Sequence, residues 1–490
     1  MTTPMEEQTD FPKEITKMSV DFDRWYTDVV RKAELADYSP VRGCMVIRPY
    51  GYAVWEAIQR AFDDMIKSSG HQNWYFPLLI PEDVLMKEAE HIEGFTPEVA
   101  WVTEAGSHGK LDQRLAIRPT SETIIGTVMR KYIQSWRDLP QLTNQWCNVL
   151  RWELRTRLFL RTAEFLWQEG HTFHASADEA KAEVDLILEY YRRIAEDWLA
   201  LPVLRGTKSK AETFAGAEYS KSIEAMMRDG YALQSGTSHY LGQNFSRAYD
   251  IGFANRENTR ELCHTTSWGI STRLVGGLIM GHGDDRGLIM PPRVAPIQVV
   301  VVPIYRDAES KALVEAFIET WQSWVRAEGV RLHVDWRDER PGEKFNHWEL
   351  KGVPLRLEVG PRDVEARQVT IADRLHPDKA DRRTLPSLAL AERLPHELER
   401  FQGELFQRAK DFMADNTFEV STLAELVEHF KTRTGFVWAP WCGSAECEAK
   451  VTEETRGVTT RNFDPDAAVE GACLVDGKPA RHRVAFARPY

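Results

Sequence analysis

The chain has 490 residues, a net charge of −12, and 43% hydrophobic and 28% charged residues, which predicts a soluble globular protein of two or three domains. The acidic balance argues against a protein that coats nucleic acid non-specifically, and no run of about 18 apolar residues predicts a membrane span. The polar N-terminal segment has no apolar signal-peptide core, so we expect a cytoplasmic location.

The alternation of apolar and turn-forming segments predicts four regions. We expect a flexible tail at 1–17, a mixed α/β region at 18–295, a second domain at 296–397 and a C-terminal domain at 398–490. The boundary near 296 follows the proline-rich segment 290–296, where a regular element does not continue.

A short polar segment, Arg118-Pro-Thr-Ser-Glu122, interrupts apolar sequence in the first large region. Thr120 and Glu122 offer a hydroxyl and a carboxylate two residues apart, which can hold a cationic ligand group. The same Thr-Ser-Glu tripeptide is also typical of a helix N-cap. Taken alone, the tripeptide favours the cap.

An arginine-rich segment is predicted to form two antiparallel strands. Alternation across 149–153 predicts a strand that presents Arg151 and Glu153 on one face, and the second strand presents Trp167 and Glu169. The connection contains Arg155, Arg157 and Arg161. Guanidinium groups bind phosphate oxygens in bidentate fashion, so the hairpin is a candidate triphosphate site. The alternative, a solvated basic hairpin, is disfavoured by the neighbouring tryptophans.

The remaining chain contains clear periodic elements. Ser176 and Glu179 match a capping box that opens an amphipathic helix. After the boundary, strands are predicted at 298–304, 330–336, 354–360 and 367–373, with a helix at 307–328. This order is typical of a small βαβ-type domain with a largely buried sheet.

Two further segments carry candidate site residues. Residues 233–240 include a Gly-Thr-Ser-His sequence, and 269–273 reads Gly-Ile-Ser-Thr-Arg among small residues. Small residues allow the backbone to approach a ligand closely, although Arg273 can also be a surface helix residue. His171 and His239 stand singly in apolar sequence, where a histidine is usually a hydrogen-bonded core residue.

Together these segments resemble the class II aminoacyl-tRNA synthetases, and in particular the prolyl-tRNA synthetase family of archaeal/eukaryotic-like architecture. The three class II motifs are resembled by 72–77, by Arg151–Glu153 with Arg161 and Phe165, and by 269–273. The prolyl family in particular is resembled by 118–122, 165–171, 236–239, 348–354 and the closing Arg-Pro-Tyr490.

The resemblance implies an α+β and α/β multidomain fold: a catalytic domain with an antiparallel class II sheet, an α/β anticodon-binding domain and a small α/β C-terminal domain. It implies a homodimer that uses ATP with Mg²⁺ to activate L-proline as prolyl-adenylate and then transfers the prolyl group to tRNA(Pro). Fewer than about 100 residues separate Gly170 from Cys263, too few for the family's editing insertion, so we expect no editing domain.

The same resemblance implies roles for individual residues. The catalytic residues are Arg151 and Arg273. The proline-binding residues are Thr120, Glu122, Arg151, Trp167, Glu169, His171, Phe214 and His239. The ATP-binding residues are Arg151, Glu153, Arg161, Thr162, Phe165, Gln234, Thr237, Ser271 and Arg273. Thr213 departs from the family pattern, which has lysine before Phe-Ala-Gly-Ala, and this puts one contact in doubt.

The C-terminal half carries two further candidate sites. The anticodon-binding candidates are Phe345, Trp348, Glu349 and Lys351, of which Trp348 and Glu349 can equally be structural. The zinc candidates are Cys442, Cys447, Cys473 and Asp476, where relatives often carry four cysteines. Asp476 takes the fourth place, and His482 is an alternative ligand. A metal-free fold with reduced thiols is the competing interpretation, and the other three cysteines are expected to be reduced core residues.

Three rival functions remain in view. A class II ligase for threonine, serine or glycine would share the architecture, but Thr120 with Glu122 argues against it. A synthetase-like protein that binds RNA or a partner without charging tRNA would usually lose a motif arginine, and Arg151 and Arg273 are both present. A zinc-dependent RNA-binding module would require an intact cysteine cluster.

Overall fold

The computed structural model describes residues 14–91, 99–153 and 155–490. The tail predicted at 1–17 therefore lies outside the described residues except for its last four. The chain forms two compact units, a larger one of residues 39–45, 58–277 and 409–490 and a smaller one of residues 1–38, 46–57 and 278–408. Within the described ranges, no helix has the length and apolar character that crossing a membrane requires.

In chain order the described α-helices are α1 (Phe22–Lys32), α2 (Pro49–Ser68), α3 (Glu82–His91), α4 (Glu122–Tyr132), α5 (Ala177–Arg193), α6 (Asn244–Tyr249), α7 (Arg273–His282), α8 (Ala308–Ala327), α9 (Pro341–Leu350), α10 (Pro361–Ala366), α11 (Leu390–Asp415), α12 (Leu423–Thr432) and α13 (Ala445–Thr455).

The described strands are β1 (Ala36–Tyr38), β2 (Met45–Ile47), β3 (Gln72–Asn73), β4 (Leu79–Pro81), β5 (Trp101–Glu104), β6 (Lys110–Ile117), β7 (Gln141–Leu150), β8 (Glu164–His174), β9 (Val203–Thr207), β10 (Tyr219–Met226), β11 (Ala232–Gly242), β12 (Gly252–Ala254), β13 (Arg260–Leu262), β14 (His264–Ser271), β15 (Val299–Pro303), β16 (Leu332–Val334), β17 (Leu355–Val359), β18 (Gln368–Asp373), β19 (Arg383–Pro386), β20 (Thr417–Glu419), β21 (Phe436–Trp441), β22 (Thr459–Phe463) and β23 (His482–Ala487).

The larger unit is built on one sheet with the strand order β20-β21-β23-β22-β9-β10-β11-β14-β8-β7-β3. From β9 to β7 every neighbouring pair is antiparallel. Helix α5 packs across β11 and β14 and buries Val184, Ile187 and Tyr191, while Ser176 accepts a hydrogen bond from the backbone N–H of Glu179. The predicted antiparallel sheet flanked by helices is confirmed.

The strand predicted across 149–153 is wrong in its second half. Strand β7 ends at Leu150, and Arg151 and Glu153 lie in the following loop. The partner strand β8 begins only at Glu164, which pairs with Leu150. Beyond Leu150 the backbone N–H of Arg151 still donates to the carbonyl of Ala163 at 2.8 Å, but the regular ladder has ended. A period-two pattern alone does not extend a strand.

The strands of the C-terminal segment extend the large sheet. Strands β20 to β23 pair among themselves, and β22 pairs with β9 through Phe463 and Thr207. The sequence predicts short strands around the cysteines but not that they continue this sheet.

The smaller unit contains a five-stranded sheet of order β16-β15-β17-β18-β19. Strand β15 is parallel to both β16 and β17, and the last two pairings are antiparallel. The valine run of β15 is fully buried, as expected for a strand covered on both faces. Helix α8 buries Val314, Ile318 and Trp321. The predicted strands and helix of this region are confirmed to within a few residues.

Close packing at one glycine of β8 gives a stability prediction. A Cβ atom at Gly170 would lie 2.1 Å from the indole of Trp268, which is buried in the sheet. Because a packed core cannot yield freely, we expect Gly170→Ala to cost about 2–3 kcal/mol and to lower the thermal midpoint by roughly 5 °C, measured by calorimetry.

Gly403 offers a matched control. It lies within α11, and no described atom would lie within 4 Å of an added Cβ. Since alanine is favoured over glycine in a helix, Gly403→Ala should leave the midpoint unchanged or raise it slightly. Equal midpoints for the two variants would contradict the packing argument at Gly170.

Candidate active site

A cleft of about 280 Å³ opens on the large sheet, at the strands β8, β11 and β14. The predicted site residues that line it are Thr120, Glu122, Arg151, Phe165, Trp167, His171, Phe214, Gln234, Thr237, His239, Ser271 and Arg273. These residues come from segments up to 150 positions apart, and the antiparallel register brings them together. Trp167 pairs with Ser271, and Thr237 pairs with Gly269.

One side of the cleft carries the buried Thr120–Glu122 pair. The Thr120 hydroxyl donates to Glu122 Oε2, and both side chains are buried. Ser121 occupies the N-cap position of α4, but its hydroxyl accepts no capping hydrogen bond and donates instead to Glu169. The N-cap interpretation of this tripeptide is therefore wrong for its side chains, and the turn instead presents a carboxylate and a hydroxyl to the cleft.

Two arginines bring positive charge to the cleft. Arg151 Nε donates to the carbonyl of Pro119 at 3.0 Å, and Arg273 Nε donates to the carbonyl of Leu160 at 3.1 Å. Each guanidinium is thus fixed by one backbone carbonyl, and within the described part of the chain its other N–H groups have no hydrogen-bond acceptor. The guanidinium carbon of Arg151 lies 5.3 Å from the ring centroid of Trp167.

The two guanidinium groups also repel each other electrostatically. Burial, followed by the charge of Arg151, lowers the pKa of Arg273. Burial likewise lowers the pKa of Arg151, against the opposing carboxylates of Glu122 and Glu169. An arginine stays charged in a protein, so neighbouring cations that disfavour each other form a site that an anion would stabilise.

The wall between these groups is aromatic and uncharged. The rings of Phe214 and His239 lie 4.9 Å apart, and Trp167 lines the same space. Burial, with Lys208 and His171 nearby, lowers the pKa of His239 to about 3, so its imidazole is neutral. It hydrogen-bonds the Ser220 hydroxyl through Nδ1 at 2.7 Å.

Beneath the wall lies a buried ion pair. His171 Nε2 donates to Glu169 Oε2 at 3.1 Å. Burial opposes charge on both groups, but this bond and the neighbouring carboxylates raise the pKa of His171, and hydrogen bonds from His171, Ser121 and Gln145 lower the pKa of Glu169. Both shifts favour the charged forms of the pair. His171 lines the cleft, whereas Glu169 is absent from the described lining residues.

Three residues predicted to contact ATP lie in the loop after β7 and are also absent from the described lining. Glu153 and Arg161 form an ion pair with each other at 2.8 Å. Thr162 is buried, and its hydroxyl donates to the carbonyl of Glu164. Their predicted contacts with ATP remain predictions.

The structure adds cleft residues that sequence reasoning missed. Lys208 is buried, donates to Gln234 Oε1, and lies 3.5 Å from a carboxylate oxygen of Glu212. Its polar neighbours in the sequence gave no signal of burial. Thr213, the departure from the family pattern, donates its hydroxyl to the carbonyl of Ser209, so the cation in this part of the cleft is Lys208.

The smaller unit has its own cavity of about 160 Å³, lined in part by Phe345, Trp348 and Glu349. The guanidinium carbon of Arg356 lies 4.1 Å from the Phe345 ring centroid. Trp348 Nε1 donates to Asp335 at 2.8 Å, and Lys351 is buried in an ion pair with Glu34 at 2.5 Å. Lys351 is absent from the described lining residues of this cavity.

The C-terminal thiols converge. One ligand atom from each of Cys442, Cys447, Cys473 and Asp476 lies within 4.8 Å of all the others. The sulfur atoms of Cys442 and Cys447 are 3.6 Å apart, as expected for thiolates that share one tetrahedral ion. His482 instead packs against Phe463, with ring centroids 4.3 Å apart, and is not in the cluster of described ligand atoms. The donor set therefore fits a zinc ion with Asp476, and not His482, as fourth ligand.

Three family models match successive parts of the chain. Residues 103–282 match the family described as tRNA synthetase class II core domain (G, H, P, S and T). Residues 298–396 match the anticodon binding domain, and residues 423–490 match the C-terminal domain of prolyl-tRNA synthetase.

Similar curated proteins cover nearly the whole chain. A proline–tRNA ligase of Symbiobacterium thermophilum is 52% identical over 495 residues, covering 99% of this chain and 100% of the relative. Proline–tRNA ligase 2 of Clostridioides difficile is 51% identical and covers 98% of each chain. Proline–tRNA ligase 2 of Bacillus cereus is 49% identical and covers 97% of this chain and 98% of its own. The chain belongs to the prolyl-tRNA synthetase family of class II aminoacyl-tRNA synthetases.

Proposed function

We propose that this member of the family is a proline–tRNA ligase. The observation that carries the proposal is the cleft, in which the Thr120–Glu122 pair, an uncharged aromatic wall and the guanidinium groups of Arg151 and Arg273 face one space. A small zwitterion with an apolar ring and a polyphosphate anion together complement these groups. The relatives compared above, which cover nearly the whole chain, are proline–tRNA ligases.

Proline fits the first part of the cleft. Its secondary ammonium would donate to Glu122 and Thr120, where a fixed carboxylate is available. Its ring would lie against Trp167, Phe214 and the neutral His239, which match an apolar ring. Its carboxylate would then point to Arg151.

ATP, bound as its Mg²⁺ complex, fits the remaining part. Phe165 would stack on adenine, Arg151 would contact the α-phosphate and Arg273 the terminal phosphate, since all three line the cleft. Gln234, Thr237 and Ser271 offer hydrogen bonds to ribose or phosphate, and Lys208 adds a further cation. Glu153, Arg161 and Thr162 would contact ATP only after the loop between β7 and β8 rearranges, because their side chains now bond to residues of that segment.

The reaction needs positioning and charge stabilisation more than a general base. A carboxylate oxygen of proline attacks the α-phosphorus, the bond to the β-phosphate oxygen breaks, and pyrophosphate leaves. A terminal ribose hydroxyl of tRNA(Pro) then attacks the prolyl carbonyl, and AMP leaves. Arg151 would stabilise the charge that develops on the α-phosphate because its guanidinium is already fixed toward the cleft.

The remaining predictions extend this function to the whole chain. We propose catalytic, anticodon-binding and C-terminal domains at 18–295, 296–397 and 398–490, a homodimer, a cytoplasmic location and no editing domain. In the anticodon-binding part, Phe345 and Glu349 are the better candidates, because Trp348 and Lys351 are buried against their partners, whereas the ion pair of Glu349 with Arg286 is partly exposed.

Amino-acid-dependent ATP–pyrophosphate exchange tests the proposal directly. Without tRNA, exchange should be strongest with proline among the twenty amino acids and weaker with alanine or cysteine. Arg151→Ala should lower proline-dependent exchange by about 10³-fold, because a preorganised donor to the phosphate is lost. Arg114→Ala, which removes an exposed arginine paired with Glu82, should retain activity. No exchange with any amino acid would instead indicate a synthetase-like binding protein.

Glu349 separates the two steps of the reaction. Glu349→Ala should leave proline-dependent exchange unchanged and raise the KM for tRNA about tenfold, since one base-edge hydrogen bond is lost. Both rates are measured on the same preparation. Equal loss of exchange and charging would contradict the anticodon assignment.

We propose that Cys442, Cys447, Cys473 and Asp476 hold a structural zinc ion, which would cross-link helix α13, the carrier of Cys447, to the loops that carry the other three ligands. Metal analysis of the purified chain should find about one zinc per chain. Cys473→Ser should lose the metal and lower the thermal midpoint, whereas Cys44→Ser should retain both. A full chain that stays metal-free after zinc supplementation and gel filtration would contradict the site.

A further inference from the structure

A buried amide under the cleft has no role in the assignments above. Gln145 lies on β7 directly opposite Glu169 on β8 and is almost fully buried. Its Nε2 donates to Glu169 Oε1 at 2.9 Å, and its Oε1 accepts the backbone N–H of Phe76 at 2.6 Å. Gln145 therefore connects the 72–77 segment to the carboxylate beneath the proline site.

Glu169 is held by donors on both oxygens. Oε1 accepts from the Ser121 hydroxyl, from Gln145 and from Cys147 Sγ at 3.3 Å. Oε2 accepts from the backbone N–H of Ser121 at 3.2 Å and from His171 at 3.1 Å. A buried carboxylate is tolerated only where such donors compensate its lost hydration, so the donors also set its orientation.

The position of Glu169 matters to the cleft through two neighbours. Ser121 stands between Thr120 and Glu122, so the carboxylate that holds Ser121 also holds the turn that presents both. His171 lines the cleft directly. A change in the orientation of Glu169 would therefore move the groups proposed to bind the proline ammonium.

We propose that Gln145 is a positioning residue for the proline site. It does not touch the substrate; it fixes Glu169, and through Glu169 the 118–122 turn and His171. Gln145 is suited to this role because its side-chain oxygen accepts a hydrogen bond from the backbone N–H of Phe76, which fixes the amide independently of the turn. The Ser121 hydroxyl also donates to Glu169, but Ser121 is part of the turn that has to be positioned. The inference rests on the proposed proline activity.

Gln168 provides a matched control. It is an equally buried glutamine on β8, and its amide contacts the hydroxyl of Tyr191 at 2.9 Å and the side chain of Asn144 at 2.7 Å. It is absent from the described residues that line the cleft. Replacing either glutamine by leucine removes a buried amide, but of the two changes only Gln145→Leu removes a donor to the carboxylate of Glu169.

The test measures the KM for proline and for ATP separately, by pyrophosphate exchange on the full chain. Gln145→Leu should raise the proline KM about tenfold, as expected for a hydrogen bond to a charged group, and leave the ATP KM within about twofold. Gln168→Leu should lower the thermal midpoint without changing either KM. An unchanged proline KM, or an equal rise in both KM values, would overturn the inference.

A second variant decides the question if Gln145→Leu does not fold. Gln145→Glu keeps an acceptor for the Phe76 N–H but places a carboxyl against Glu169. Relative to the parent, its proline KM should be raised at pH 8 and recover toward pH 6, because a proton shared by the two carboxyls restores a donor. If the ratio of the variant's proline KM to the parent's stays constant between pH 6 and pH 8, the inference is overturned. Failure of the parent chain to exchange with proline would instead refute the proposed function.

Discussion

The compensated burial of one carboxylate, Glu169, is the constraint on which the cleft depends. A charged group without water is costly unless its partners are in place, and here donors from β7, from β8 and from the turn before α4 converge on it. The interaction can form only when the strands are in their observed register. The register of the sheet therefore also places the groups proposed to bind proline.

The cleft brings opposite charges together before any substrate is bound. The carboxylate of Glu122 and the guanidinium groups of Arg151 and Arg273 line it, together with a neutral His239 packed against Phe214. Among the described residues, each arginine donates to one backbone carbonyl, and for Arg151 that carbonyl belongs to the turn that carries Glu122, which leaves donors for an incoming anion. Such preorganisation means that little side-chain reordering accompanies the growth of charge on the phosphate, so the catalytic contribution of the protein is mainly electrostatic and geometric.

Local sequence patterns predicted the helices and strands that depend on interactions between residues close in sequence. The helix after Ser176 and the valine strand β15 follow from capping and apolar periodicity, and most cleft residues follow from family motifs. The pattern at Arg151 extended the strand too far because alternation does not show where the partner strand begins. Lys208 and Gln145 were missed because their importance arises from contacts with residues distant in sequence, Gln234 and Glu169. The pairing of β22 with β9 was missed for the same reason, since pairing between strands remote in sequence leaves no local pattern.

A crystal structure with a non-hydrolysable sulfamoyl analogue of prolyl-adenylate tests the proposed proline site most directly. We expect the prolyl nitrogen within hydrogen-bond distance of Glu122 and Thr120, the ring against Trp167 and Phe214, and the sulfamoyl oxygens facing Arg151. Glu169 should keep its present donors and make no contact with the ligand. A ligand bound with its prolyl ring outside this wall, or held directly by Glu169, would show that the proline site is assigned wrongly.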